Sequence, residues 1–341
     1  MKPQLDRIDQ ALLTELQAHF PVEHRPFALL GQKLGLTEEQ CLDRVSGLKS
    51  RQIVRQISAV FHAASLGHRV TCVALQVEPA KADQLAALLS RYPGVSYADR
   101  KDDPFSVWLT MAVPSDALDR TAAALQSLTR AKQVLALPVV KLYKGSEMGE
   151  VERLELAEEP AAASSSAAKA LIPRDVELIR LVQQDLPVLE MPFTVWAEQA
   201  NAPEEELFAW MQRMQRLGCL SRVGAMVVER DESQPFGETV LWRVPEEIDA
   251  TGQRLAQSRY VSHCSRRPVY DGWPYPVLTH LHPTSRPELA SRVAEQVGGI
   301  AYRRLAKVKE YQIRPVKLFA PDLVAWWHEA VKPGSAAPVA S

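Results

Sequence analysis

The chain has 341 residues, of which 46% are hydrophobic and 24% charged, more than the roughly 100–200 residues of one ordinary domain. Its formal net charge of −1 removes the bulk attraction expected of a dedicated nucleic-acid binder. No apolar run approaches the ~18 residues that a membrane span needs. The opening MKPQLDRIDQ lacks the apolar core of an export signal, so a cytoplasmic protein is expected. Cys41, Cys72, Cys219 and Cys264 form no CxxC pair, which argues against a zinc site or a redox dithiol and leaves buried thiols.

Leu5, Ile8, Leu12, Leu13 and Leu16 recur at helical spacing and predict a first amphipathic helix. A second helix comes next over Pro26–Leu34, then the turn Gly35-Leu36-Thr37, where Thr37 caps a third helix through Lys49. The alternating, β-branched stretch Ile53–Phe61 reads as a wing strand, which makes this segment a winged helix. Beyond it the pattern predicts a strand Val70–Val77, a helix Ala80–Arg91, strands Val95–Arg100 and Ser106–Val113, a helix Ser115–Leu128 and a final strand Val134–Tyr143. That βαββαβ order is ferredoxin-like.

The segment EEPAAASSSAAKAL, within about Glu155–Leu171, lacks large apolar residues and reads as a linker. Beyond the linker the chain repeats itself. Asp9 matches Asp175, Gln17 Gln183, Pro26-Phe27 Pro192-Phe193 and Val95-Ser96 Val261-Ser262, all at an offset of 166. A period this long marks a duplicated domain set rather than a solenoid. Copy two repeats the elements as Val176–Val182, Thr239–Arg243, Glu246–Gln257, Val261–Arg267, Val277–His282, Arg286–Val297 and Val308–Phe319. The expected fold is α+β, a tandem duplication with domains at 1–60, 61–150, 173–230 and 231–328, a linker at 151–172 and a disordered tail at 329–341. After the shared Val-Ser, copy one continues with Tyr97 and copy two with His263, so copy one reads as catalytically silent.

The phrases LDRIDQALLTELQ and LGLTEEQCLDRVSGLKSRQIV resemble the Lrp/AsnC group over most of the chain. The string VSHCSRRPVYDGWPYPVLTHLH at Val261–His282 is more specific and resembles the sirohaem decarboxylases. The match includes Ser262, His263, Cys264, Arg267, Pro268, Trp273, Pro274, Tyr275 and His282. LQAHFPVEHRPFALLGQKLGL is similar to the D-type subunit, so the whole resembles a fused DL form. Ser265, Pro276 and the run Lys309-Glu310-Tyr311 depart from the family pattern.

That resemblance implies removal of CO2 from two acetate side chains of sirohaem, giving 12,18-didecarboxysirohaem on the route to haem d1. It implies no separate cofactor, since the iron enters with the substrate. It leaves open a homologous GH-type partner subunit and a homodimer. Histidine titrates near working pH, so His263 and His282 are the candidate acids. The planar guanidinium fork suits carboxylates, so Arg222, Arg266 and Arg267 are candidate clamps, with Lys309 assisting. Trp273 and Tyr275 can pack on a macrocycle face, or close a turn. His280 reads as a structural histidine.

A transcription regulator is the main competitor, with a non-catalytic tetrapyrrole sensor third. Glu204-Glu205-Glu206 and Glu38-Glu39 open the helices that would meet DNA, placing carboxylates where phosphate would sit. DNA binding is disfavoured on that ground.

Overall fold

A computed structural model describes residues 5–92, 94–145, 171–227, 238–281 and 288–320. The expected linker, the tail from Lys332 and His282 lie outside these residues. Among the described residues, no helix is long and apolar enough to cross a membrane. The chain divides into two compact units, one formed by residues 1–67, 161–230 and 317–319, the other by 68–160, 231–316 and 320–341.

The first unit joins the helix-turn-helix segments of both copies. Copy one supplies α1 (Arg7–Ala18), α2 (Pro26–Leu34) and α3 (Glu38–Ser50), succeeded by β1 (Val54–Phe61). Asp6 caps α1, and a reciprocal Thr37–Gln40 capping box starts α3, which satisfies amides that a helix start leaves bare. Gly35, at φ 70°, ends α2. Copy two repeats the set as α6 (Pro173–Val182), α7 (Pro192–Gln199), α8 (Glu204–Arg216) and β7 (Leu220–Val227). The expected wing strands do not form hairpins within each copy; β1 pairs antiparallel with β7, one strand from each copy. Gly224 in β7 is required because a Cβ there would lie 2.7 Å from the Gln17 carbonyl oxygen.

The second unit holds two five-stranded sheets. Copy one gives β2 (His68–Gln76), α4 (Ala82–Leu89), β3 (Val95–Lys101), β4 (Val107–Pro114), α5 (Leu118–Thr129), β5 (Gln133–Leu137) and β6 (Lys141–Lys144). Copy two gives β8 (Glu238–Trp242), α9 (Ile248–Gln257), β9 (Val261–Arg266), β10 (Val277–Leu281), α10 (Leu289–Gln296), β11 (Tyr302–Leu305) and β12 (Lys307–Ile313). The strand orders are β12-β3-β4-β2-β5 and β11-β8-β10-β9-β6, each a ferredoxin-like sheet with one strand added from the other copy.

This exchange corrects the strand expectations. Val134–Tyr143 is not one strand but two: Pro138, which cannot donate to a ladder, separates β5 from β6, and β6 joins β9 of the other copy. Copy two likewise has two strands at its end, β11 and β12, where one strand over Val308–Phe319 was expected. Gly252 in α9 leaves room for the ring of Tyr143, carried in on β6.

Each strand alternates its side chains between a helix layer and the opposing sheet. Val73, Leu75, Val107 and Leu109 pack under α4 and α5 with Ala86, Leu89 and Leu125. Val240, Trp242, Val277 and Leu281 pack with Leu255 and Val293 of α9 and α10. Between the sheets, Ala74, Phe105, Trp108, Leu135 and Leu137 meet Leu241, Trp273, Leu278 and Leu305. The sheets therefore lie face to face, with helices outside.

Candidate functional site

Part of the layer between the sheets is polar, and β-bulges set which residues reach it. In β9, the ladder shifts between His263↔His280 and Val261↔Leu281, so one extra residue, Ser262, reverses the strand's parity. Ser262 Oγ donates to the His280 carbonyl at 3.0 Å. Val261 and Cys264 thereby face the helices, while His263, Ser265 and Arg267 face the opposing sheet. Copy one carries the same device at Ser96, whose Oγ donates to the Thr110 carbonyl at 3.1 Å, and it turns Tyr97, Asp99 and Lys101 inward.

His263 is fully buried. Its Nε2 lies 2.8 Å from Ser265 Oγ, which also accepts from Arg267 Nε at 2.9 Å. Arg267 Nη1 in turn donates to the Leu137 carbonyl of copy one at 2.6 Å. His263 Nδ1 is buried without a hydrogen bond. Burial, then the Arg267 charge, pulls the imidazole pKa down to about 3, so the ring is neutral near pH 7.

His280 stands directly across the ladder from His263, with ring centroids 5.4 Å apart. Its Nδ1 is 3.1 Å from Thr239 Oγ1. Burial and the charges of His263, Lys101, Arg267 and Lys307 hold its pKa well below the ordinary value.

Copy one is not a blank scaffold here. Lys101 and the fully buried Asp99 form an ion pair at 2.7 Å, and the Tyr97 hydroxyl donates to Asp99 at 2.9 Å. Burial pushes the Tyr97 hydroxyl well above the usual phenol range. The exchanged strand β12 adds Lys307, 3.1 Å from Glu310 and 5.2 Å from the Tyr97 ring centroid; burial lowers its pKa although Glu310 opposes this.

The other expected contacts are distributed differently. Arg266 points to the helix face, where Nη1 meets Asp249 at 3.3 Å, because successive residues of a strand face opposite sides. Lys309 also lies off the inner face: a bulge between Lys307↔Lys101 and Lys309↔Arg100 changes the parity of β12, and Lys309 sits exposed, 4.8 Å from the Tyr311 ring. Arg222 belongs to the helix-turn-helix unit, where its Nε donates to the Gln17 carbonyl at 2.7 Å. Trp273 is a buried plug, edge-on to Phe105 at 4.9 Å and to Tyr275 at 5.3 Å. Tyr275 is half-buried, with the Arg303 guanidinium 5.2 Å from its ring. Burial raises the Cys264 thiol to about 12, which suits a packing residue and not a nucleophile.

Sequence reasoning missed Asp99, Lys101, Lys307, Thr239 and the placement of His280. The first two were accessible, since they stand at the same offset from Ser265 and Arg267 as Tyr97 from His263. Lys307 was not, because its facing depends on a bulge.

Paired ferredoxin-like sheets enclosing cationic side chains and neutral imidazoles define an AsnC-like ligand-binding protein suited to an anionic ligand. The AsnC-like ligand binding domain profile matches residues 65–144 and 237–312, and the siroheme decarboxylase NirDL-like HTH domain profile matches residues 9–55 and 175–220. A siroheme decarboxylase of Hydrogenobacter thermophilus is 26% identical, covering 94% of this chain and 97% of its own. The siroheme decarboxylase alpha subunit of Desulfovibrio desulfuricans is 40% identical over 41% of this chain and 81% of its own length. The crystal structure of the siroheme decarboxylase NirDL superposes with a TM-score of 0.72 at 24% identity, covering 95% of this chain and 98% of that one; a second NirDL structure, in complex with an iron-uroporphyrin III analogue, superposes equally well. The chain belongs to the sirohaem decarboxylase family.

Proposed function

We propose that this chain removes CO2 from two acetate side chains of sirohaem, and that the layer between its two ferredoxin-like sheets does so. The observation that carries the assignment to this place is the pair of neutral, desolvated imidazoles, His263 and His280, set among Arg267, Lys101 and Lys307. A polycarboxylate complements the Arg267 guanidinium, while Lys101 and Lys307 are held by Asp99 and Glu310. Each step breaks the bond between the acetate CH2 and its carboxyl carbon. The electron pair stays on the CH2, conjugated with the ring, and one proton completes the methyl group. The net balance consumes one proton per CO2 and requires no oxidant.

His263 is the group proposed to hold that proton. Substrate carboxylates oppose the field of Arg267 and stabilise the imidazolium, so binding raises its proton affinity at the moment the acid is needed. Arg267 orients carboxylates. The family motif assigns a second acid to His282, outside the described residues. The iron arrives with the substrate, and a homologous partner subunit and a homodimer remain part of the proposal from family resemblance.

The regulator reading is disfavoured by the helix-turn-helix unit itself. Arg44 is bound by Asp6 and Asp9, Lys49 by Asp185 at 2.6 Å, and Arg213 by Asp175, which leaves these cations committed to carboxylates instead of phosphates. His24 and Arg25 meet Glu204 and Glu38 at the starts of α8 and α3. Anaerobic incubation with sirohaem and mass analysis of the product tests the proposal: loss of CO2 supports it, binding without mass change favours a sensor, and DNA binding without either restores the regulator.

A further inference from the structure

We propose that His280 is a positioning and proton-relay residue that reloads His263 between turnovers, an inference that rests on His263 being an acid of the reaction. The need for such a residue comes from burial. His263 is enclosed, its Nε2 is engaged by Ser265 and its Nδ1 has no hydrogen bond, yet every CO2 released consumes a proton. A buried donor that is used in every turnover needs a partner able to carry protons from outside. His280 meets the geometric conditions: it is the cross-strand neighbour of His263 on the same inner face, its ring centroid is 5.4 Å away, and it is less enclosed than His263. At that separation, rotation of either ring brings two nitrogens to about hydrogen-bond distance.

Three features hold this arrangement. The Ser262 bulge, pinned by its hydroxyl to the His280 carbonyl, aligns the two rings. Thr239 Oγ1 lies 3.1 Å from His280 Nδ1 and orients the ring. The groups that face His280 are His263 and Arg267 from copy two's central strands, Lys101 from β3 and Lys307 from β12. Arg267, Lys101 and Lys307, and His263 once it is protonated, disfavour its cation, so a proton on His280 is transient and passes on readily. The matching position in copy one is Thr110, opposite Tyr97, so the pair exists on one face alone.

The test is anaerobic steady-state decarboxylation by the full chain from about pH 6 to about pH 9, around the histidine range. His280→Gln is expected to lower kcat by about 10- to 100-fold with KM nearly unchanged, the loss growing as pH rises, with partial recovery in added imidazole. Thr239→Val keeps the ring but frees its Nδ1, and gives a smaller loss in the same pH direction; it keeps the test open if His280→Gln fails to fold. Unchanged kcat at every pH in His280→Gln, or a pH-independent loss that imidazole does not relieve, overturns the relay. His263→Gln with full activity overturns the acid assignment beneath it, whereas inactive His263→Gln beside fully active His280→Gln overturns the relay alone.

Discussion

The two inner faces use one backbone for different chemistry. Ser96 and Ser262 make the same bulge with the same hydroxyl contact, and the positions after it pair Tyr97 with His263, Asp99 with Ser265 and Lys101 with Arg267. Copy one fills them with a fixed ion pair and a phenol that stays protonated. Copy two fills them with imidazole, hydroxyl and guanidinium. Duplication thus sets a standing ion pair on one face and the proposed proton donor on the other, and the exchange of β6 and β12 ties the two halves together.

The sharpest way to break that comparison is His263→Gln, expected to reduce kcat by roughly 100-fold or more while sirohaem still binds; single-turnover product mass reads it. On the copy-one side, Asp99→Leu strands a buried Lys101 and is expected to cost about 3–5 kcal/mol of stability, most of it recovered in the Asp99→Leu/Lys101→Met double variant, as read by chemical denaturation. The contrast also has a pH signature. His263 titrates at 6.5 unfolded and about 3 folded, so between those values the unfolded chain holds the extra proton. Stability is then full above about pH 7 and falls as acid is added through that window, by on the order of 5 kcal/mol from this group, with His280 acting in the same direction. Denaturation midpoints against pH should show that slope, reduced in His263→Gln. Smallest are the parity pairs: Arg267→Gln and Lys307→Met should raise KM about 10-fold, whereas Arg266→Gln and Lys309→Met, on the helix face, should change it less than about 2-fold. Equal effects within either pair would remove the inner face from the account.

Much of this architecture is legible from spacing. The offset of 166 revealed the duplication, Thr37 and the glycine at 35 marked the helix-turn-helix boundaries, and period-two alternation located most strands. Strand exchange was not legible, because Pro138 ends a ladder without naming the sheet that receives β6. The facing of β12 was also hidden: periodicity assumes an unbroken pleat, and a bulge changes which of Lys307 and Lys309 points inward. The placement of His280 opposite His263 was hidden as well, because a lone histidine in a strand carries no information about its cross-strand partner, which only the register supplies.

The most direct measurement is product mass after anaerobic incubation of sirohaem with the intact chain, run beside His263→Gln and Tyr97→Phe. Two losses of CO2 from the unaltered chain, near-normal conversion by Tyr97→Phe and unreacted bound substrate with His263→Gln are the results predicted. Conversion by His263→Gln together with loss of activity in Tyr97→Phe would place the proton chemistry on the other copy and contradict the account.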